Sequence, residues 1–329
     1  MKKIILGTAT SILLSYASHA QLAAKNLETP FLTRTSQAKA GLTDQFKNLK
    51  LYYIVAKPSL AKEIGEIGNY INLERAMQLG IVEVTEVNNG GTVNELLFRN
   101  KSKDTVMLNM GDVVKGGKQD RVVEKDMLLL PLTKTVVPVY CVEHGRWSGN
   151  ENPRSGTAAF NGYHSTISSK VRESIVKDKS QQQVWAKVAD INSSYSTTTN
   201  TGTYTAVTNS ENYKKELARY TAALKGDILK NEKIVGLVAV SGDKIIGCDI
   251  YATRELFKSN LQNLLQSYIT EAISDGSPVT IADSYVANYL DQLLSDEQKQ
   301  EVMLNGNGRS LKLKGKNLKL TAFDNGKNR

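Results

Sequence analysis

The residues able to do chemistry in this 329-residue chain gather in two short runs about 20 residues apart. The first is Gly111-Asp112-Val113-Val114-Lys115-Gly116-Gly117-Lys118-Gln119-Asp120-Arg121, the second Cys141-Val142-Glu143-His144-Gly145-Arg146-Trp147. Gly116 and Gly117 let the backbone approach a ligand closely or turn tightly. Lys115, Lys118 and Arg121 put three cations within seven residues, with the Gln119 amide as donor and acceptor. Such a set can bind a phosphate or carboxylate. It is not a Walker loop, because the Gly-Lys-Ser/Thr order is missing. The competing reading is structural: a glycine turn between strands whose Arg121 pairs with Glu143 or Asp120. Glu143 and Arg146 close a strand, where functional side chains gather. Glu143 would serve as acid/base, with Arg121 or Arg146 stabilising developing negative charge. Trp147 would stack on a ring or sugar, or cap the core. The candidate ligand set is Gly116, Gly117, Lys118, Gln119, Asp120, Arg121, Glu143, Arg146 and Trp147, with Glu143 as the catalytic candidate.

The remaining reactive residue types are few. The chain has two cysteines and three histidines. Cys141 and His144 point to opposite faces of an extended strand, and a neighbouring carboxylate raises a thiol's pKa, so a nucleophilic dyad is disfavoured. A buried core thiol and a Cys141–Cys248 disulfide formed after export stay open as alternatives. No metal site is expected, since cysteine pairs, histidine clusters and an acid-rich calcium loop are all missing. His164 reads as a lone surface histidine.

These residues need strands and turns to hold them. Leu49 to Ala56, Ile81 to Val87, Val93 to Arg99, Thr105 to Met110, Arg121 to Leu130 and Thr135 to Val142 carry β-branched and aromatic residues at short intervals. Asn88-Asn89-Gly90-Gly91 signals a hairpin turn. Alternation puts Val137, Val139, Cys141 and Glu143 on one face of their strand. Asn72 caps a short helix that Gly80 closes. Gln181 to Ile191, Glu211 to Leu229, Arg254 to Ile273 and Ile281 to Val302 read as helices, with Val184, Trp185 and Val188 sharing one face and Leu217, Tyr220, Leu224 and Leu229 another. Ser241-Gly242-Asp243 turns a hairpin, and the tail from Leu311 to Phe323 closes with strand or hairpin. The fold class is α+β: a mainly antiparallel sheet in the N-terminal half, packed amphipathic helices and a hairpin in the C-terminal half.

Residues 1–20 read as an address. Lys2 and Lys3 precede an apolar run from Ile4 to Leu14, and Ser18-His19-Ala20 offers a signal-peptidase site before Gln21. The run is too short to span a bilayer, so no stable membrane insertion is expected and the product is periplasmic or extracellular. Cleavage removes two lysines and no acids, lowering the net charge from +9 to +7. Residues 21–48 form a flexible lead-in and 49–329 a single domain with an exposed Ser/Thr-rich loop at 193–208. Arg309, Lys312, Lys314, Lys316 and Lys319 read as a solvated basic strand face. Without interleaved aromatics, and with export, no nucleic-acid partner is expected.

The chain also resembles a known family. Leu79 to Glu86, Val93-Asn94-Glu95-Leu96, Gly116 to Arg121, Pro138-Val139 and Cys141 to Trp147 are similar to the ARG and rhodanese-phosphatase-superfamily-associated protein domain family, as are Gln183-Val184-Trp185 and Phe257 to Ser267. The similarity covers roughly Leu51 to Ser274. Members often show Asn where Asp120 stands and Gln where His144 stands. The resemblance implies an association with NAD and ADP-ribose metabolism and no established activity. Three expectations follow. The first is an exported module binding an anionic small molecule or a glycan, without cofactor. The second is a hydrolase or transferase using Glu143, on an ADP-ribose or NAD-derived compound. The third is a structural envelope protein.

Overall fold

The computed structural model describes residues 21–30, 43–87, 92–146, 160–197, 199–324 and 326. The leader, the Asn88–Gly91 turn and Trp147 lie outside these residues. Sixteen strands are numbered in chain order: β1 (Leu27–Glu28), β2 (Thr43–Phe46), β3 (Leu49–Ala56), β4 (Tyr70–Asn72), β5 (Val82–Glu86), β6 (Glu95–Asn100), β7 (Thr105–Leu108), β8 (Asp112–Gly116), β9 (Arg121–Val123), β10 (Met127–Leu129), β11 (Lys134–Cys141), β12 (Phe160–Thr166), β13 (Ile234–Ser241), β14 (Lys244–Tyr251), β15 (Gly308–Leu313) and β16 (Lys316–Ala322). The helices are α1 (Pro58–Ile64), α2 (Leu73–Gln78), α3 (Ser169–Lys177), α4 (Gln181–Ser194), α5 (Glu211–Lys230), α6 (Arg254–Ser274), α7 (Asp283–Leu293) and α8 (Glu297–Leu304).

The strands form three sheets. One runs β1-β3-β13-β14-β16-β15 with β2 beside β3, a second β10-β7-β4, and the third β12-β8-β9-β11-β6-β5. All pairings between these strands are antiparallel except β4 with β7. The fold is therefore α+β and mainly antiparallel, with the C-terminal hairpins joining an N-terminal strand in one sheet. β13 is buried along its whole length, so Ile234 to Val240 carries apolar residues on both faces. α6 lies against it and buries Leu256, Phe257, Leu261, Leu264, Leu265, Tyr268 and Ile269. A second core joins α3 and α4 to β8 through Val113, Ile175, Val184 and Val188. A third packs Leu96, Phe98, Val137 and Val139 with Leu108 and Leu129.

Several local readings shift. Arg121 to Leu130 is two strands, and Ile281 to Val302 is two helices, because the Asp296 side chain accepts a hydrogen bond from the Lys299 amide and starts a new helix. The buried stripe of α5 is Tyr213, Tyr220, Leu224 and Ile228, whereas Leu229 is exposed. The 193–208 segment is not an exposed loop throughout: Tyr204 to Val207 are buried in a 3-10 turn, Tyr204–Asn209, because the aromatic and aliphatic side chains enter the second core. The basic tail is not wholly solvated either. Lys319 is buried, with its Nζ 2.8 Å from Asp126 Oδ1, since β16 is an interior strand.

Candidate functional site

The glycine-rich run leaves β8, turns, and returns as β9. Gly116 and Gly117 both have positive φ, 118° and 54°, and a Cβ on Gly117 would sit 2.4 Å from the Phe160 ring. Both the turn and the close approach therefore require glycine. The side chains that follow face inward: Gln119, Asp120 and Glu143 are buried and Arg121 is fully so.

They make a clasp of hydrogen bonds. Asp120 Oδ1 accepts from the Gly116 amide at 2.9 Å, and Oδ2 accepts from the Thr203 and Thr205 hydroxyls at 2.7 and 3.0 Å. Glu143 Oε2 accepts from the Asp120 amide at 3.0 Å and from Arg146 Nη2 at 2.6 Å, while Oε1 accepts from Arg146 Nε at 2.9 Å. Arg146 Nη1 also donates to the Gly117 carbonyl at 2.9 Å. Arg121 Nη1 donates to the Gln119 carbonyl at 2.8 Å, and its Nη2 lies 3.9 Å from Glu86 Oε1. The same Glu86 oxygen accepts from the Lys118 amide at 3.0 Å. Arg121 thus pairs with Glu86, and it is Arg146 that holds Asp120 and Glu143.

This arrangement bears on the predicted chemistry. Three carboxylates, from Glu86, Asp120 and Glu143, sit against the Arg121 and Arg146 guanidiniums, so both guanidiniums near the glycine turn are already engaged. Burial would push the Glu143 carboxyl up, but hydrogen bonds from Arg146, Thr201 and the Asp120 amide outweigh it and hold it below the usual carboxylate range. A carboxylate so held is a poor proton donor at neutral pH. Burial, with Glu86 and Glu143 adding to it against Arg121, pushes the Cys141 thiol up to about 11. Cys141 and Cys248 are free, buried thiols. Cys141 lies at the end of β11 and Cys248 in β14, strands of different sheets, and the disulfide considered from their export is not formed.

The clasp supports a groove at the other side of the second run. Gly145 donates its amide to the Thr201 carbonyl at 2.7 Å, and a Cβ there would lie 3.0 Å from Thr201 Cα. The Gln181 side chain accepts from the Cys141 amide and donates to its carbonyl, both at 2.8 Å, tying the start of α4 to the end of β11. Between them lies a cavity of about 500 Å³ lined by His144, Trp185, Ala189, Asn192, Ser196 and Thr199, among others. The His144 and Trp185 rings meet edge to face, 4.5 Å apart at 83°. Along α4, Val184, Val188 and Ile191 enter the core, while Trp185, Ala189 and Ser193 follow the groove at helical spacing. Trp185 thus turns away from Val184 and Val188, with which periodicity had grouped it. Its buried Nε1 has no hydrogen-bond partner among the described residues.

His164 is largely shielded from solvent, edge-on to Tyr204 at 5.9 Å, and burial with Lys115 nearby pulls its pKa down to about 4. Among the described residues no group of three His, Cys, Asp or Glu could hold a metal ion. Nor is any helix among them long and apolar enough to cross a membrane. Sequence reasoning missed Glu86, Gln181, Thr203, Thr205 and the position of Trp185. Each is distant in the chain from the run it serves; periodicity found the helix from Gln181, but only the similarity at Gln183-Val184-Trp185 linked it to the two runs.

Comparison with known proteins matches residues 37–326 to the ARG and Rhodanese-Phosphatase-superfamily-associated Protein domain. The chain belongs to this family. The match extends beyond the roughly Leu51 to Ser274 seen from motifs and takes in both runs, the α4 groove and the C-terminal hairpin. No curated protein and no solved structure matches the chain.

Proposed function

We propose that the protein is an exported binding module for a ring-bearing polar ligand of the glycan class, held in the groove over His144 and Trp185. The observation that carries this reading is the groove itself. Its volume of about 500 Å³ falls in the range of small-molecule sites, and it sets an indole and an imidazole beside the hydroxyls of Ser193, Ser196, Thr197 and Thr199 and the amide of Asn192. Aromatic faces take up the apolar side of a sugar, while hydroxyls and amides pair with its hydroxyl groups.

The same geometry favours a neutral ligand over an anion. Lys187 is outside this groove's lining, and the two motif guanidiniums are engaged by Glu86, Asp120 and Glu143. In this reading the two motifs form the scaffold that shapes the groove wall, and Glu143 positions Arg146 instead of transferring protons. Calorimetry with a panel of neutral and acidic oligosaccharides tests it. Neutral sugars are expected to bind, Trp185→Ala to weaken them about tenfold or more, as at other buried aromatic anchors, and Lys118→Ala to leave them unchanged. Binding of acidic sugars alone, lost with Lys118→Ala, would favour the anion site at the glycine turn instead. Turnover of an ADP-ribose compound that Glu143→Gln abolishes would favour the enzyme.

A further inference from the structure

Three turns meet at one end of the second and third sheets. Val82 pairs with Asn100, Arg99 with Lys134 and Val106 with Leu129, so the start of β5, the ends of β6 and β10 and the starts of β7 and β11 come together. The joining turns are bound to one another. Lys101 donates its amide to the Ile81 carbonyl at 2.8 Å, and Leu132 donates its amide to the Ser102 carbonyl at 3.1 Å. The buried Asn100 side-chain amide is shared among the Asp104, Leu129 and Leu130 carbonyls, at 2.7, 3.2 and 3.1 Å. Thr133 Oγ1 donates to the Leu130 carbonyl at 2.8 Å. The three turns are thus held as one surface.

That surface carries leucines and lysines together. Leu132, Leu130 and Leu79 are 68%, 52% and 48% exposed, so a large part of each side chain stands in water. Leu132 does so from a φ of 59°, a left-handed conformation that favours glycine, and burial within the chain does not offset that strain. Lys101, Lys103 and Lys134 are exposed beside the leucines and make no ion pair among the described residues, whereas Arg99, one step inside, pairs with Glu83 at 3.8 Å. Asp104 is the one acid in these turns. Exposed apolar side chains gathered in this way mark a surface that meets a partner. The leucines sit on separate turns with lysines between them and line no common groove. That spacing suits a soft apolar medium behind an anionic surface, which takes up each side chain where it stands, better than a preformed protein pocket. We propose that this end of the molecule docks peripherally on a bilayer carrying anionic headgroups, with the leucines entering the boundary of headgroups and acyl chains and the three lysines lying over the lipid phosphates. Lys134 and Cys141 are the two ends of β11, roughly 23 Å apart at the usual strand rise, so the docked end is remote from the second run. The proposal does not depend on what the His144–Trp185 groove binds.

The test uses the full chain with vesicles of equal parts phosphatidylcholine and phosphatidylglycerol, and with vesicles of phosphatidylcholine alone. Leu132→Trp places an indole at the tip, with Leu130→Trp as a second reporter. Val302→Trp places one on α8, at a position that is 71% exposed and away from the three turns. Each emission spectrum is read against the parent protein, whose two tryptophans are common to all. With the mixed vesicles, the tip reporters are expected to shift to shorter wavelength and to be quenched by brominated acyl chains, and added salt to weaken the effect by screening the lysines. Val302→Trp is expected to stay unshifted, which separates docking at the tip from attachment through another part of the chain. In the Leu132→Trp background, Lys134→Ala should weaken vesicle affinity about fivefold and Leu130→Ser about tenfold. Tip reporters that do not shift with the mixed vesicles, equal shifts with phosphatidylcholine alone, an equal shift for Val302→Trp, or a concentration-dependent dimer that Leu132→Ser abolishes in the absence of any vesicle binding would each overturn the proposal.

Discussion

Replacing Asp120 by alanine tests whether the motif acts as a clasp. The carboxylate is buried and accepts from the Gly116 amide at 2.9 Å, Thr203 Oγ1 at 2.7 Å, Thr205 Oγ1 at 3.0 Å and Arg146 Nη2 at 3.3 Å. Alanine removes all four at once. Arg146 keeps Glu143, and the two hydroxyls can rotate, but the Gly116 amide loses the acceptor that closes the turn. Hydrogen bonds to a charged group contribute roughly 1.5–3 kcal/mol each and add incompletely, and breaking a buried charged pair costs roughly 3–5 kcal/mol, so a loss of about 3–5 kcal/mol is expected. Asparagine preserves the shape and one acceptor, and the hydroxyls can accept from its amide, so Asp120→Asn should cost about 1 kcal/mol. The assay is urea unfolding followed by both circular dichroism and fluorescence, with coincident transitions and an unchanged m-value as the condition for comparing the variants. A double-mutant cycle with Thr203→Val isolates the carboxylate–hydroxyl contact. A loss below about 1 kcal/mol for Asp120→Ala, or equal losses for alanine and asparagine, would refute the clasp.

Further outcomes follow from the same geometry. Gly117→Ala should destabilise by about 1–3 kcal/mol in thermal melts, because its φ of 54° and the Phe160 ring both exclude a Cβ. Burial pushes the Asp112 carboxyl up to about 6 despite the Asn109 amide, Lys319 and Tyr163. The native state then binds this proton more tightly than the unfolded state, so Asp112's contribution is full below about pH 4 and is lost as pH rises through about 6. A stability–pH curve for Asp112→Asn should lack that decline. Lys319→Ala should cost about 3–5 kcal/mol by stranding Asp126, whereas the exposed Lys312→Ala should cost less than about 1 kcal/mol. Both cysteines should resist a thiol reagent in the native state and titrate as two free thiols in urea.

The strands were legible because alternation is local. Val137, Val139 and Cys141 are buried and Val136 is exposed, as a two-residue period requires. Helix starts were legible where a cap residue is explicit, as at Asn72, whose side chain accepts from the Arg75 amide at 2.9 Å. The site was legible only in part. The two runs do meet, but Arg146 is taken up by Asp120 and Glu143 and Arg121 faces Glu86, and nothing in the runs alone reveals Glu86 or the Thr203 and Thr205 hydroxyls. The Ser/Thr-rich segment looked exposed because its composition is polar, yet those hydroxyls serve a buried carboxylate 83 and 85 residues away in the chain. Lys319 misled in the same way: partnership with Asp126 and a place in an interior strand overrode its preference for solvent.

The most direct test of the binding reading uses Trp185 as its own reporter. The chain has two tryptophans, so Trp147→Phe leaves the groove indole as the sole one. Its fluorescence is followed while a panel of neutral oligosaccharides is titrated in. The account predicts a saturable change with at least one sugar, protection of the indole from acrylamide in the bound state, and loss of binding in His144→Ala. An indole that stays equally quenchable across the whole panel, or sugar binding that persists unchanged in Trp185→Ala, would contradict it.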